Sequence, residues 1–511
     1  MLDVPQQIRQ KHEEPQDFRN SQTLNCHFRH ATFGNRGSCG LAAILAKQSS
    51  VGNLLDSQFT MTEGGAAAVP TVNRPGQVLF ASLVGTAIEF FDFYIYATAA
   101  VLVFPRLFFP ASDPTSATLA SLGTFAIAFL ARPIGSAFFG HFGDRTGRKF
   151  SFLLSIAIVG ITTCLTGLLP GYARLGIAAP VLLVALRIVQ GIGIGGEFGG
   201  TSSLLAEFGA ERRSRAFWMS LANLGIPLGA LAASGVMLVM SRSFAATGWR
   251  IAMLLSVIIV IPALLARYKL ADSPLFERLK QRQQLAASPS LGVFKMHAGP
   301  IILLALVVAF MSMDGFVMGT YFISFMRFAG IPLATIAVIL MLGRIADAFG
   351  VLLSGPLADF CKRRTAAYIA IGLTTLLSYP FVLAVLSKRI LLVMALQIPI
   401  SFFGIGVLHG LAPILASESF PTKFRYSGTG ISYNLCHIFG GMIAPSALAG
   451  LIGQDVFHKW RYVPACYAFY CIVAMLALLF IQETRDVNLE RLDQAEPALA
   501  YSARLQKVLP D

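Results

Sequence analysis

The chain has 511 residues, of which 55% are apolar and only 13% charged, and its formal net charge at pH 7 is +14. Soluble domains carry about 25% charged residues, which excludes a soluble multidomain protein. The positive charge does not point to nucleic acid, because the basic residues fall in short stretches between long apolar runs, as they do where a membrane protein sets its orientation.

Residues 1–72 are polar and mixed, lack a signal-peptide pattern, and are expected to form a disordered cytoplasmic tail. Met61 opens a short polar lead into the first apolar run, so it is a candidate start, and removal of residues 1–60 is expected to leave function intact. Twelve runs long enough to cross about 30 Å of hydrocarbon follow. They lie near 78–104, 116–140, 150–169, 179–205, 216–240, 250–268, 299–323, 331–354, 366–386, 390–414, 427–452 and 461–481. The expected organisation is a six-helix bundle over 73–268, a cytoplasmic linker over 269–298, a second six-helix bundle over 299–485 and a cytoplasmic tail over 486–511. The fold class is therefore an all-α membrane protein. Stretches after even-numbered spans hold seventeen Lys or Arg against nine after odd-numbered ones, which places the even exits and both termini in the cytoplasm.

A repeat relates the two halves. Gly140-His-Phe-Gly-Asp-Arg-Thr-Gly-Arg-Lys149, after span two, returns 215 residues later as Gly355-Pro-Leu-Ala-Asp-Phe-Cys-Lys-Arg-Arg364. Gly140, Asp144, Arg148 and Lys149 match Gly355, Asp359, Arg363 and Arg364. Glu207 with Arg215 is echoed by Glu418 with Arg425. The motif reads as a tight turn in which Asp144 caps a neighbouring helix while Arg145, Arg148 and Lys149 pair with acids at other helix ends, around Gly147. The second copy has Lys362 where the first has Gly147, so its turn is expected to be looser and its gating weaker.

Two other patterns carry little. Gly191-Ile-Gly-Ile-Gly-Gly196 imitates a dinucleotide fingerprint, but it lies inside an apolar helix with no strand before it, so close helix packing explains it better. The seven cysteines show no framework or metal spacing, and four lie in apolar runs where Cys serves as a small apolar residue.

Ionisable residues at span centres are where chemistry is expected, since a charge in mid-bilayer costs about 2.5–3.5 kcal/mol on insertion scales. Span one has Glu89 and Asp92 on one stripe with Tyr96, span two Arg132, span four Arg187 and Glu197. Span seven has Asp314 in the place matching Asp92, and Tyr321. Span eight has Arg344 with Asp347, spans ten and eleven His409 and His437. An acid left over from pairing can load and release a proton, and Arg187 is the expected cation competing for Asp92. No metal site or cofactor is indicated.

Further motifs make the resemblance specific: Gly85-Thr-Ala-Ile-Glu-Phe-Phe-Asp-Phe-Tyr-Ile-Tyr96, Phe108-Phe-Pro110, Ala131-Arg-Pro-Ile-Gly135, Gly191–Gly200 with Glu197, and Glu418-Ser-Phe-Pro-Thr422 with Arg425-Tyr-Ser-Gly428. From about 72 to 487 the chain resembles the major facilitator superfamily, and within it the metabolite:proton symporter family of shikimate, 2-oxoglutarate, citrate and proline or betaine carriers. The resemblance implies two six-helix bundles around a central site reached alternately from each side, with import driven by the proton gradient. It implies proton carriers among Glu89 and Asp92, to which Asp314 is added as the acid at the matching place of the second half. Candidate cavity residues are Tyr96, Arg132, Arg187, Glu197, Tyr321 and His409. The cytoplasmic gate would comprise the residues of the two repeats with Glu207, Glu418 and Arg425. The expected partners are a small-molecule substrate, protons and the lipid bilayer, with a functional monomer in a plasma (bacterial inner) membrane. Two arginines facing a cavity favour an organic acid over a zwitterion. An exporter of the same fold is the competing function. A membrane enzyme would need a nucleophile or metal constellation that the spans do not show, and a channel would need symmetric rings of charge.

Overall fold

The computed structural model describes residues 75–110, 114–208, 215–240, 243–268, 272–281, 288–453 and 455–485. The expected tails, the candidate start at Met61 and several counted basic residues (Arg212, Arg213, Lys269, Arg282) lie outside the described residues. Twelve helices are long and apolar enough to cross a membrane. Spans 1 to 6 are Gly76–Ala100, Gly123–Thr146, Arg148–Leu168, Ala178–Glu207, Arg215–Val236 and Ala246–Leu265. Spans 7 to 12 are Pro289–Phe328, Ala334–Cys361, Arg363–Leu386, Ile390–Ser417, Thr422–Ile452 and Val456–Phe480. All are helical, the form in which a single crossing segment satisfies most of its own backbone groups in hydrocarbon.

The repeated motifs are not open turns. The helix of span 2 continues to Thr146 and that of span 3 starts at Arg148, so Gly140–Thr146 forms the last two turns of span 2 and only Gly147 is non-helical. Span 8 likewise runs to Cys361 and span 9 starts at Arg363. Extending the helix satisfies backbone groups at no extra cost where the chain leaves the hydrocarbon. The joint residues have φ of 125° at Gly147 and 75° at Lys362. Glycine takes such a conformation freely, whereas lysine does so against steric strain.

Among its described residues, the stretch expected as a linker over 269–298 is also largely helical. It carries the short helix Pro274–Gln281, and the helix of span 7 starts at Pro289. That helix kinks at His297, where φ and ψ are −130° and 25°, three residues before Pro300. The proline removes an N–H and crowds the preceding turn. Farther along, three spans of the second half pass through wider π-helical stretches: Val317–Tyr321, Ser401–Val407 and His437–Ile443. Such stretches re-aim side chains within an otherwise regular helix.

Small residues set how closely helices approach. A side chain at Gly195 would meet Ser136 N at 2.7 Å, and one at Gly406 would meet Gly350 Cα at 2.8 Å, so spans 2 and 4 cross as spans 8 and 10 do. The two halves meet through spans 2 and 11 and through spans 5 and 8. A Cβ on Gly140 would stand 2.7 Å from Ser427 Cα, and one on Gly355 would stand 2.6 Å from Phe217 Cα. The opening glycine of each repeat therefore makes room for a backbone of the other half. Polar bridges follow the same seams. Tyr426 Oη donates to Gly196 O at 2.6 Å, Asn434 Nδ2 to Gly195 O at 3.2 Å, and Asn223 Nδ2 to His409 O at 2.6 Å.

Gly140→Val and Gly355→Val are expected to lower the thermal unfolding midpoint in detergent, because overpacking of this kind costs about 1–3 kcal/mol. Gly450→Ala, with nothing within 4 Å of its added carbon, is expected to leave the midpoint unchanged or slightly raised. Equal midpoints for all three variants and the parent would contradict the tight seams.

Candidate functional site

At the end of the molecule carrying both repeats, called here the motif face, two buried clusters of charge face each other. In the first, Glu207 at the end of span 4 is shared between two arginines. Arg425 Nη1 from the other half lies 2.7 Å from Glu207 Oε1, and Arg148 contacts Glu207 Oε2. Ser273 donates to the same carboxylate. Arg148 Nη2 also donates to Thr422 O at 2.9 Å, across the two halves.

The second cluster repeats the first with the halves exchanged. Glu418 at the end of span 10 accepts from Arg215 Nη2 of span 5 at 2.6 Å and from Arg363 Nε of span 9 at 3.3 Å. Thr484 Oγ1 donates to Glu418 Oε2 at 2.5 Å. Each glutamate thus holds one arginine of its own half and one of the other.

Two further acids, absent from the sequence expectations, complete the scheme. Asp272 Oδ1 accepts from the backbone N–H groups of Arg148 and Lys149 at 2.8 and 2.9 Å, capping span 3. Glu483 accepts from those of Arg363 and Arg364 at 2.9 and 3.1 Å, capping span 9. A carboxylate at a helix N-terminus satisfies orphan donors and the helix dipole together. Asp272-Ser273 and Glu483-Thr484 stand 211 residues apart, the spacing of Glu207 and Glu418. That shared offset was the available signal, hidden because the pairs match in chemistry rather than in residue type.

Asp144 is fully buried and caps a helix of the opposite half. Its carboxylate accepts from Tyr426 N at 3.1 Å and Ser427 N at 2.9 Å, in the first turn of span 11. Its counterpart Asp359 is partly exposed and pairs with Arg363 at 2.9 Å in its own half. The remaining basic residues stay peripheral. Arg145 is exposed, Lys149 lies over the Tyr268 ring at 5.0 Å, and Arg364 Nη2 donates to Leu479 O at 3.4 Å.

The mid-span charges divide into two kinds. One kind is enclosed within a single half. Asp92 accepts from Gln190 Nε2, which also donates to Thr163 Oγ1 at 2.8 Å, so a neutral amide on span 4 rather than a cation meets its Oδ2. Arg187, three residues before Gln190, instead has its guanidinium carbon 3.0 Å from the centre of the Tyr96 ring. Tyr96 Oη shares a hydrogen bond of 2.6 Å with Thr124 Oγ1. Asp314 is the second-half counterpart: Tyr467 Oη donates to its Oδ1 at 2.5 Å, and Gly404 and Thr374 pack beside it. Gln190, Thr163 and Tyr467 were missed because an uncharged polar residue in an apolar run draws no attention on hydropathy alone.

The second kind faces the seam between halves. Glu89 Oε1 lies 3.6 Å from Arg132 Nη2, and the Arg132 guanidinium stands 5.1 Å from the Phe129 ring centre and 5.8 Å from that of Phe93. Phe93 and Phe129 meet Phe316 of span 7 at 5.6 and 5.2 Å, and Phe129 stacks on His437. Glu89 and Asp92, expected on one stripe, therefore point to different neighbours. Three residues along a helix are 60° short of a full turn, which here separates the seam from the interior of the half.

Two expected cavity residues sit elsewhere. Glu197 is locked to Arg267 of span 6, with Arg267 Nη1 donating to Glu197 Oε2 at 2.9 Å over the Phe152 ring. This buried, doubly bonded pair ties spans 4 and 6 together rather than facing the seam. Arg267 is one of the seventeen basic residues counted after the even-numbered spans. Tyr321 packs on Phe322 and Phe325 of its own span. His409 does reach the seam, edge-on to Phe90 at 6.5 Å.

Asp144→Asn is expected to slow transport roughly tenfold or more while leaving substrate affinity nearly unchanged, since it loses a charge-assisted hydrogen bond between halves and no substrate contact. Paired measurements of uptake rate and equilibrium binding check this; a matching loss of affinity would contradict it.

The Major Facilitator Superfamily profile matches residues 82–445. The chain is 41% identical over 434 residues to the inner membrane metabolite transport protein YhjE of Escherichia coli (strain K12), covering 82% of this chain and 96% of that one. It is 29% identical to the shikimate transporter of the same organism, over 81% and 96% of the two chains. A solved structure of the proton:xylose symporter XylE, 17% identical, superposes with a TM-score of 0.65 over 82% of this chain and 98% of that one, which speaks for the fold alone. With twelve spans, a duplicated half and these relatives, the chain belongs to the major facilitator superfamily, in its metabolite:proton symporter family, and is a multi-pass membrane transporter of metabolites.

Proposed function

We propose that the protein imports a small carboxylate-bearing metabolite together with protons by alternating access, as a monomer in an inner membrane with the motif face and both termini in the cytoplasm. The basic bias of the even-numbered exits supports that orientation. The relative named an inner membrane protein supports the location. Closure at the motif face then corresponds to a state shut toward the cytoplasm. Arg132 supports the substrate class: its guanidinium lies at the seam, ringed by Phe93 and Phe129, and such a fork takes a carboxylate in bidentate fashion. The relative named a shikimate transporter agrees with that class.

The observation that carries the proton coupling is the state of Asp92. It is enclosed at mid-membrane, bonded to the neutral Gln190 on one oxygen and without a hydrogen-bond partner on the other. Arg187 is close by yet stacked on Tyr96. A protonated Asp92 needs no cation, whereas a deprotonated one in low dielectric draws Arg187 from the ring. Loading and loss of one proton thus change which packing of spans 1 and 4 is favoured, and a ligand or proton shifts a conformational equilibrium only through such a difference. Asp314 provides a second buried acid at the matching place, and Glu89 a third that is nearer the substrate.

Asp92→Asn imitates the loaded state permanently. In proteoliposomes the variant is expected to bind substrate and to exchange it across the membrane while failing to concentrate it under an inward proton gradient. An Asp92→Asn protein that still accumulates substrate in response to the gradient removes Asp92 as the coupling group. Uptake driven only by an outward gradient would instead identify an exporter.

A further inference from the structure

One group of charges at the seam remains without a task. Arg344 and Asp347 lie one turn apart on span 8, and His409 faces them from span 10. Asp347 is fully buried, with Oδ2 3.8 Å from Arg344 Nη1 and Oδ1 3.8 Å from His409 Nδ1. Both separations exceed a hydrogen bond. Neither Asp347 oxygen nor His409 Nδ1 has a hydrogen-bond partner. Groups so enclosed are normally satisfied, and each one that is not calls for an explanation.

The cluster looks across the seam. The Arg344 guanidinium stands 4.9 Å from the ring centre of Tyr94 on span 1, and His409 meets Phe90 of the same span. Arg344 keeps 15% of its side chain exposed and His409 9%, whereas Asp92 and Asp314 are closed within their halves. Space adjoins the cluster on span 7. An added carbon at Gly319 would meet only Arg344 Nη2, at 3.0 Å, and one at Gly315 would meet nothing within 4 Å.

We propose that Asp347, His409 and Arg344 form the hydroxyl-binding half of the substrate site, opposite the carboxylate-binding Arg132, so that the transported metabolite is a hydroxylated carboxylic acid. This rests on the carboxylate reading above and narrows it. A donor and an acceptor 3.8 Å apart are too distant to bond directly, but one hydroxyl oxygen at about 2.8 Å from each completes both. The hydroxyl donates to Asp347 and accepts from Arg344 or His409. An ammonium group is a poorer occupant, because the neighbouring Arg344 already supplies positive charge and a second cation beside it is repelled. A quaternary ammonium has no proton to donate to Asp347 at all. The rings of Phe90, Phe93 and Tyr94 offer an apolar wall for the carbon skeleton between the two polar ends.

The test is calorimetric binding to the purified full-length protein of two matched pairs, quinate with cyclohexanecarboxylate and malate with succinate, alongside myo-inositol and glycine betaine. In at least one pair the hydroxylated acid is expected to bind about tenfold or more tightly than its unhydroxylated partner, as a site built for a hydroxyl rejects the analogue lacking it. Asp347→Asn is expected to lower the affinity ratio within that pair toward one, and the binding still measured for the unhydroxylated acid shows that the variant is folded. Arg132→Gln is expected to weaken both members alike. Equal affinities within both pairs for the unaltered protein, or equal losses of both members in Asp347→Asn, overturn the hydroxyl site and leave the carboxylate reading standing. Binding of inositol or betaine with all four acids silent overturns the carboxylate reading itself, and silence from all six probes does the same.

Discussion

Two shared carboxylates hold the motif face closed. Glu207 and Glu418 each bridge an arginine of their own half and one of the other, in sites where water is excluded. Buried ion pairs contribute little net stability, because the Coulomb gain is largely offset by desolvation, yet removing a single partner is costly. The clusters therefore behave as units that are either complete or open. The helix caps by Asp272 and Glu483 extend each unit into the segment after span 6 and the segment after span 12, so both bundle exits are tied to the same closure.

The duplication is chemically faithful but not mechanically even. Asp144 caps a helix across the seam, while Asp359 pairs with Arg363 in its own half. Gly147 relaxes the first joint, and Lys362 holds the second at positive φ. π-helical stretches occur in spans 7, 10 and 11, one beginning three residues after Asp314 and one beginning at His437, and a further one, Phe244–Gly248, opens span 6. A helix with a widened turn can shift its register at lower cost than a regular one.

Contact length divides the buried charges into two groups. Glu197 and Arg267 form two hydrogen bonds inside one half and need nothing more. Glu89 with Arg132, and Asp347 with Arg344 and His409, stand at 3.6 to 3.8 Å along the seam. Close pairing is what a structural ion pair requires. Loose pairing leaves lone pairs and donors to be completed by something that arrives.

The sequence by itself determined the twelve spans, the duplicated halves, the two repeated motifs and the presence of charges in mid-membrane. These are legible because hydrocarbon demands one long apolar run per crossing and makes every charge within it conspicuous, and both are local properties of the chain. The tertiary structure alone decided the partners: that Asp92 meets Gln190 rather than Arg187, that Glu197 belongs to Arg267, that Asp272 and Glu483 cap spans 3 and 9, and that Glu89 and Asp92 part company. It also turned the expected loops of the repeats into helix. Partner choice depends on the rotation and depth of each helix against its neighbours, and at 100° per residue a single position moves a side chain from the seam to the interior. Hydropathy records whether a residue is polar, not which way it points, so that part of the site exists only once the helices are packed.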